Sequence, residues 1–394
     1  MAVIRRRFTP EDRAASVYQY VPFAVPAGTE AVTVTVGYDR PGGNVIDLGL
    51  EAPDRFGGWS GGERSALTVT RAWATPGYVP GELAGEWRVI LGLYRVGAGG
   101  VDVDVDVTTS AAPVAPPPSA PPPPRPARPP RRPLPAAPGR EWLACDFHSH
   151  TVHSDGGLEV AELAVLAAAQ GLDVLAVTDH NTVSHHAFLA AAGHHAGVLL
   201  LPGQELTTDT GHANCFGDVG WIDFRRPAGE WLADAERRGA LLSVNHPWAP
   251  GDSAWRRTLS PKAPAVEAWH STWDLRAPEP LDEWAEHGAV PIGGSDFHRH
   301  GAPAKRSGAE ARGYGARTVP GEPTTWVEAE DRSTAAVLDA IRAGRVSISA
   351  SPTSPVLLRH DGELVAVGAD GCTRHTNEHA TWLAAGGRVA AMCV

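Results

Sequence analysis

The sequence predicts an α/β protein led by an all-β domain, and three observations predict it. Residues 113–138 hold fourteen prolines and divide the 394-residue chain in two. Before that tract, short runs alternate apolar and polar residues at period two, the pattern of half-buried strands. After it, wholly apolar runs alternate with helix-like segments, the pattern of strands covered on both faces. The divisions that follow are a β-sandwich accessory domain over 1–110, a proline/arginine-rich linker over 111–140 and an α/β domain over 141–370. A tail over 371–394 offers no reading.

In the first domain the period-two runs are 17–23, 31–37, 45–50, 66–70, 87–94 and 101–107, broken by Gly, Pro and Asp turns. Regular short strands of this kind predict an antiparallel β-sandwich. In the last run valines alternate with Asp102, Asp104 and Asp106, so valine faces in and aspartate out. A solvated outer face explains three such aspartates better than a calcium site. No catalytic constellation occurs here, and the expected role is accessory: packing, oligomer contact or ligand docking.

The proline tract cannot form helix or inner strand, and reads as an extended, polyproline-type spacer. Arg125, Arg128, Arg131 and Arg132 make it basic, which suits contact with an acidic surface or nucleic acid.

The third part repeats one grammar: an apolar run ends in a metal-ligand residue, and a loop or helix follows. Trp142-Leu-Ala-Cys145 leads to His148 and His150, which alternation turns to one side. Asp155 follows on the turn Ser154-Asp155-Gly156-Gly157. The run 172–178 ends in Asp179-His180, and 198–203 ends in Gln204-Glu205, with Gly211-His212 shortly after. The run 240–245 ends in His246-Pro247, and 290–295 in Asp296-Phe297-His298. A single buried histidine is more often a hydrogen-bonded core residue than a ligand; nine candidates at successive strand ends reverse that reading. Residues at the C-terminal ends of such strands carry the chemistry in barrel-like α/β folds. Asp179 reads as a partner that orients a ligand histidine. His185, His186, His194 and His195 read as exposed surface, and His153 as facing solvent or substrate. Helices are expected over 160–170, stopped by Gly171, and over 334–343, stopped by Gly344. Strand–helix alternation supports an incomplete or distorted (β/α) barrel.

Composition bounds the rest. Hydrophobic content of 43% and charged content of 20% fit an ordinary soluble protein. A formal net charge of −11 argues against wholesale binding of nucleic-acid polymers, while leaving room for a local basic patch that admits a short end. Four cysteines show no CxxC or framework spacing, as expected of free thiols in a reducing compartment. The basic start Met1-Ala-Val-Ile-Arg-Arg-Arg lacks an apolar run behind it, so no signal peptide or membrane span is readable. The expected location is cytoplasmic.

The set HxH, Ser-Asp-Gly, Thr-Asp-His, a Glu after a β-run, Gly-His, Asn-His-Pro and Ser-Asp-x-His resembles the PHP (polymerase and histidinol phosphatase) family. Val266-Glu-Ala-Trp-His270 before Gly294-Ser-Asp-Phe-His298 resembles its carbaryl-hydrolase-like (CehA/McbA) branch. The resemblance covers roughly residues 141–350. It implies a distorted (β/α)7, TIM-like barrel and a cluster of two or three divalent ions, Mn, Zn or Fe. One ion would use His148, His150, Glu205 and Asp296; a second would share Glu205 and add His212 and His246; a third would use Asp155, His180 and His298. Imidazole with carboxylate suits those metals, and a shared carboxylate sets two ions close enough to hold one hydroxide as nucleophile. Glu205, Asp296 and His270 are the catalytic candidates. His270 stands where relatives of this branch carry Asn, and could touch substrate, act as a general acid or merely replace an amide by an imidazole. Arg299, Lys305 and Arg306 are candidates for phosphate contact.

The implied activity is a metal-dependent phosphoesterase on small phosphorylated or nucleotide-like substrates. Candidates are 3′,5′-nucleoside bisphosphates and 5′–3′ exonucleolytic cleavage of short oligonucleotides. Hydrolysis of a carbon ester or carbamate is the alternative within the enzymes. A non-catalytic, metal-bearing binding module is the alternative outside them, and retention of all nine ligands speaks against it.

Overall fold

The computed structural model describes residues 2–40, 42–118, 120–125, 127–249, 254–255, 262–271, 288–299 and 319–393. It divides into two compact units. The first is Met1–Pro121 with Val152–Asp155 and His180–His185; the second is Pro122–Thr151, Gly156–Asp179 and His186–Val394.

The first unit contains β1 (Ala2–Phe8), β2 (Tyr18–Val25), β3 (Ala31–Tyr38), β4 (Val45–Glu51), β5 (Phe56–Gly61), β6 (Ala66–Thr70), β7 (Gly85–Arg95) and β8 (Val101–Ser110). They form two antiparallel sheets, ordered β1-β8-β3-β6 and β2-β7-β4-β5. Between them lies one core that joins Val32, Val34 and Val36 of β3 and the valines of β8 to Leu48 and Leu50 of β4 and Trp87, Val89 and Leu91 of β7. The aspartates of β8 face outward, where Asp104 pairs with Arg5 at 2.6 Å and Asp102 with Arg7 at 2.9 Å. Both pairs are exposed and contribute little to stability.

The second unit contains β9 (Glu141–Asp146), β10 (Val174–Val177), β11 (Leu199–Thr208), β12 (Gly211–Phe216), β13 (Leu241–Val244), β14 (Ala265–His270), β15 (Val290–Gly294), β16 (Thr324–Ala329) and β17 (Val346–Ser349). They are followed by β18 (Val356–His360), β19 (Glu363–Val367), β20 (Thr373–Thr376), β21 (Thr381–Ala385) and β22 (Arg388–Cys393). Twelve of them make one sheet, ordered β15-β14-β13-β12-β11-β10-β9-β16-β17-β22-β21-β20. The described helices of this unit are Val160–Ala169, His186–Ala196, Ala228–Arg238 and Thr334–Arg342.

The seven-repeat barrel is not shown. The sheet order runs open from β15 to β20, and five helices occur among the described residues, one of them the short Pro10–Ala15 of the first unit. The physical reason is local. Glu205 and His212 sit on one hairpin, β11–β12, whose antiparallel ladder replaces a strand–helix repeat. Further antiparallel pairs attach β16 to β9 and β17 to β22. Parallel pairing survives at β9–β10–β11 and β13–β14–β15, where helical crossovers are compatible with it. On the β16 side, β15 meets its neighbour through a side chain: the Gly293 N–H donates to Thr325 Oγ1 at 2.7 Å.

The tail, which the sequence left unassigned, gains structure. Within 371–394, β20, β21 and β22 extend the large sheet, with Leu383, Val389, Ala391 and Met392 buried. The described linker residues are without helix or strand, but in the second unit its arginines are engaged. Arg128 and Arg131 reach the buried carboxylate of Asp173, each at 3.2 Å, where Arg332 joins them at 3.4 Å. Arg132 donates to the carbonyls of Pro352 and Ser354. Among the described residues no helix is long and apolar enough to cross a membrane.

Candidate metal centre

The second unit contains seven of the nine predicted ligands: His148, His150, His246, Asp296 and His298 follow the ends of β9, β13 and β15, while Glu205 and His212 lie within the paired strands β11 and β12. His148 and His150 leave β9 in extended backbone, both fully buried, with ring centroids 5.0 Å apart. The chain between them is pinned, because Ser149 pairs with Phe297 and the His150 N–H donates to the Phe297 carbonyl at 2.9 Å. Thr151 follows, its N–H and hydroxyl donating to Asp179 at 2.8 and 2.6 Å, so Asp179 anchors this turn.

Glu205 is the hub. Its carboxylate oxygens lie 3.4 Å from His148 Nε2, 3.6 Å from His150 Nε2, 3.1 Å from His212 Nδ1 and 3.4 Å from His246 Nε2. Asn245 also donates to it at 2.9 Å. Asp296 faces the first histidine pair, 2.9 Å from His150 Nε2 and 3.2 Å from His148 Nε2, with His270 Nε2 on its other oxygen at 3.4 Å. Donor atoms about 2.1 Å from one ion stand roughly 3.0–3.4 Å from each other, so these separations suit a shared cation. His298 stacks on His150 at 4.2 Å, its Nδ1 donating to the Asp296 carbonyl at 2.8 Å.

Two of these positions hold unusual backbone. His246 has φ +26° and Asp296 φ +50°, both in the left-handed region. Non-glycine residues there cost about 1–3 kcal/mol and persist where the surroundings over-determine them, which is characteristic of functional sites.

Glu267 was not anticipated as part of the centre. It is buried, accepts from His148 Nδ1 at 2.9 Å, and takes the His246 N–H at 2.7 Å. A β-bulge between Glu267 and Trp269 shifts the parity of β14, which lets Glu267 and His270 join His148 and His246 in one cluster of potential ligand atoms. Gly294 makes room for it: a Cβ there would stand 2.0 Å from Glu267 Oε1 and 2.7 Å from His148 Cβ.

The electrostatics test whether a cation fits. Because Glu267 accepts from it, His148 Nδ1 carries a proton, and in the neutral ring its Nε2 is then a bare acceptor. That atom is buried without a hydrogen-bond partner among the described residues, yet it faces oxygens of Asp296 and Glu205, which are acceptors too. Acceptors converging on acceptors need a proton or a cation between them. Burial alone would lower the pKa of His148, but Asp296, Glu267 and Glu205 together raise it well above its ordinary value. Burial would likewise raise Asp296, yet His148, His298 and hydrogen bonds from His150 and His270 hold it well below the usual carboxylate range. A pocket this negative, lined with imidazole and carboxylate, fits a divalent ion of the Mn, Zn or Fe type.

The first unit contains Asp155 and His180, with Asp155 Oδ1 3.5 Å from His180 Nε2. His185, expected at the surface, and His153, expected to face solvent or substrate, are buried there, and His153 Nδ1 lies 2.8 Å from Ser184 Oγ. His186 is half-buried on the Gly203 carbonyl, His195 reaches the Pro123 carbonyl, and His194 is exposed. Of the phosphate candidates, Arg299 is half-buried beside Gly157, while Lys305 and Arg306 lie outside the described residues.

No family model matches the chain. Over 64 residues it is 39% identical to a 5′-3′ exoribonuclease of Haemophilus influenzae, a stretch that covers 16% of this chain and 23% of that protein. The chain therefore aligns with about a quarter of that relative's length. Among solved structures, one is a two-domain protein from Bacteroides vulgatus described as containing a predicted PHP-like metal-dependent phosphoesterase. It shares 19% identity at a TM-score of 0.44, over 65% of this chain and 79% of that one. A protein from Bifidobacterium adolescentis described as a metal-dependent phosphoesterase gives 18% and 0.33, over 45% and 92%. An amidohydrolase from Chromobacterium violaceum gives 16% and 0.30, over 40% and 88%. With TM-scores below 0.5, none of these carries weight for the chemistry, which rests on the residues themselves.

Proposed function

We propose that this chain is a metal-dependent phosphoesterase of PHP type, in its carbaryl-hydrolase-like branch, acting on small phosphorylated or nucleotide-like substrates. The observation that carries the reading is Glu205: one buried carboxylate within 3.1–3.6 Å of four imidazole nitrogens, two from the segment after β9 and two from β12 and the end of β13. His148, His150, Glu205 and Asp296 would hold one divalent ion, and Glu205, His212 and His246 a second. Asp155, His180 and His298 are the proposed third set. When bound, such ions make water nucleophilic at neutral pH and neutralise charge on phosphoryl oxygens.

The chain's own groups divide the remaining work. Glu267 fixes the tautomer of His148 and leaves Nε2 to face the ion. Asp296, held low in pKa, stays a carboxylate and has no proton to give. Proton donation to the leaving oxygen therefore falls to an imidazole, and His270 Nε2, 3.4 Å from Asp296 Oδ2, is the candidate. Arg299 is the proposed phosphate contact, because a guanidinium can bind phosphate bidentately. The partial likeness to an exoribonuclease supports 5′-phosphorylated oligonucleotide ends beside 3′,5′-nucleoside bisphosphates as substrates.

The test is phosphate release by the Mn2+-reconstituted protein from a 3′,5′-nucleoside bisphosphate and from a short 5′-phosphorylated oligonucleotide, with His246→Ala as the blank. Release that the variant lacks is the expected result. Silence on both, with metal bound, would overturn the phosphoesterase reading and point to a carbon ester or carbamate.

A further inference from the structure

Asp155 and His180 sit on loops, and with side chains 32% and 21% exposed they are less enclosed than His148 and Glu205 at 0–1%. Ligands on loops need outside support to hold their geometry. Within the first unit that support comes from the β-sandwich. Arg64, in the turn between β5 and β6, donates through Nη1 to the Ser154 carbonyl at 2.9 Å and through Nη2 to the Val152 carbonyl. Those carbonyls flank His153 and immediately precede Asp155, so one rigid guanidinium fixes the backbone that aims the Asp155 side chain. The second loop is held at Gly77. Its N–H donates to Ser184 Oγ at 3.1 Å, and its carbonyl accepts from Thr182 Oγ1 at 2.9 Å. Ser184 Oγ in turn meets His153 Nδ1 at 2.8 Å, which ties the loops together. No side chain fits at Gly77: φ is +98°, and a Cβ would stand 2.8 Å from the His153 carbonyl oxygen and 2.7 Å from that of Trp59.

We infer that Arg64 is a positioning residue for the Asp155–His180 pair, so that the β-sandwich sets the geometry of those two ligands and is not an independent accessory module. The inference rests on the metal reading above. Arg64 touches neither substrate nor ion; it acts through the backbone of 152–155.

The experiment is calorimetric titration of the metal-free full chain with Mn2+, with metal content read by mass spectrometry after gel filtration. Wild type is compared with Asp155→Asn, Arg64→Met, Arg64→Lys and Gly77→Ala. Asp155→Asn should remove or weaken the last ion to bind. Arg64→Met should weaken that same ion roughly 10–100-fold, the usual effect of removing an outer partner, and leave the tighter ions within two-fold. Arg64→Lys should restore part of the loss. Gly77→Ala, which presses on the same loops from another side, should repeat it should Arg64→Met fold poorly. Adding Arg64→Met to Asp155→Asn should cost nothing further. Unchanged binding of the last ion in both Arg64→Met and Gly77→Ala would overturn the inference, as would equal weakening of every ion, the sign of general loosening. An Asp155→Asn titration identical to wild type would also overturn it while leaving the Glu205 centre intact. Wild-type protein that binds no Mn2+ would instead sink the functional reading itself.

Discussion

The strands of the sandwich and those of the large sheet bury different chemistry. Among β1–β8 and their turns, the buried polar residues are Thr29, Asn44, Ser60, Thr70 and the Tyr78 phenol, and the half-buried Asp47 has its pKa pushed up to about 7 by burial. Near the strand ends of the large sheet, Asp146, His148, His150, Asp179, Glu205, His246, Glu267 and His270 are all buried. Each buried charge costs several kcal/mol before its partners compensate. A fold that needed only stability would resemble the sandwich throughout, so the concentration of ionisable groups at one set of strand ends marks where stability is given up for chemistry.

That contrast breaks most sharply at Glu205. Glu205→Gln keeps the shape and removes the charge between four histidines. It should weaken metal binding by more than about 100-fold, the upper figure for outer partners, and abolish phosphate release. Metal content of the purified variant checks this; a wild-type content would remove Glu205 from the centre. Chelation of the wild type should silence it in the same way, reversibly on adding Mn2+.

Next in size comes Glu267→Gln, which removes the negative charge and leaves a single amide oxygen for the two N–H groups, His148 Nδ1–H and the His246 N–H, that the carboxylate accepts. The expectation is a roughly 10–100-fold loss of metal affinity with the protein still folded. Gly294→Ala tests the same group from its neighbour, since the new methyl would occupy the place of Glu267 Oε1. If Gly294→Ala bound metal as the wild type does, Glu267 would not be held where it orients His148.

The sandwich should answer the opposite way. Leu91 is fully buried in its core, and Leu91→Ala should cost about 2–5 kcal/mol in urea unfolding. While folded, that variant should keep its full metal content. A matching loss of metal would mean that the sandwich core, and not only Arg64, sets the ligand geometry.

Much of this was legible before the fold was known. The period-two runs announced the sandwich, because a strand with one wet face must alternate. The nine candidate ligands stand out as a set because most of them close an apolar run, a pattern that no single histidine could supply, while Asp155 and His212 lie on turns beyond such runs. Glu267 was hidden for a physical reason: it lies inside a fully buried run, and the bulge after it changes which residues share a face. The barrel is not shown, since an apolar run does not say whether its neighbour is parallel, and the β11–β12 hairpin is antiparallel. Arg64 was illegible because its partners are carbonyls some ninety residues away, which leave no mark in side-chain pattern.

The smallest predicted effect concerns thiols, and it sharpens the contrast from the apolar side of the large sheet. No disulfide joins the four cysteines among the described residues. Burial pushes Cys145 well above its ordinary range, with Asp173 and Asp146 adding to the rise, and pushes Cys215 up to about 12. Cys393 is raised by burial as well, while Cys372 is half-buried. Since only the thiolate reacts, a pKa near 12 leaves about 1 part in 10⁴ reactive at pH 8, against roughly a quarter for an ordinary thiol. Native protein should therefore show one promptly titrating thiol with a disulfide reagent, Cys372, and all four after denaturation. Cys372→Ser should abolish the prompt phase without changing phosphate release. Prompt reaction of Cys145 or Cys215 would mean that β9 or β12, which carry them beside the ligands, opens readily to solvent, and a centre on opening strands could not hold Glu205 between its four histidines.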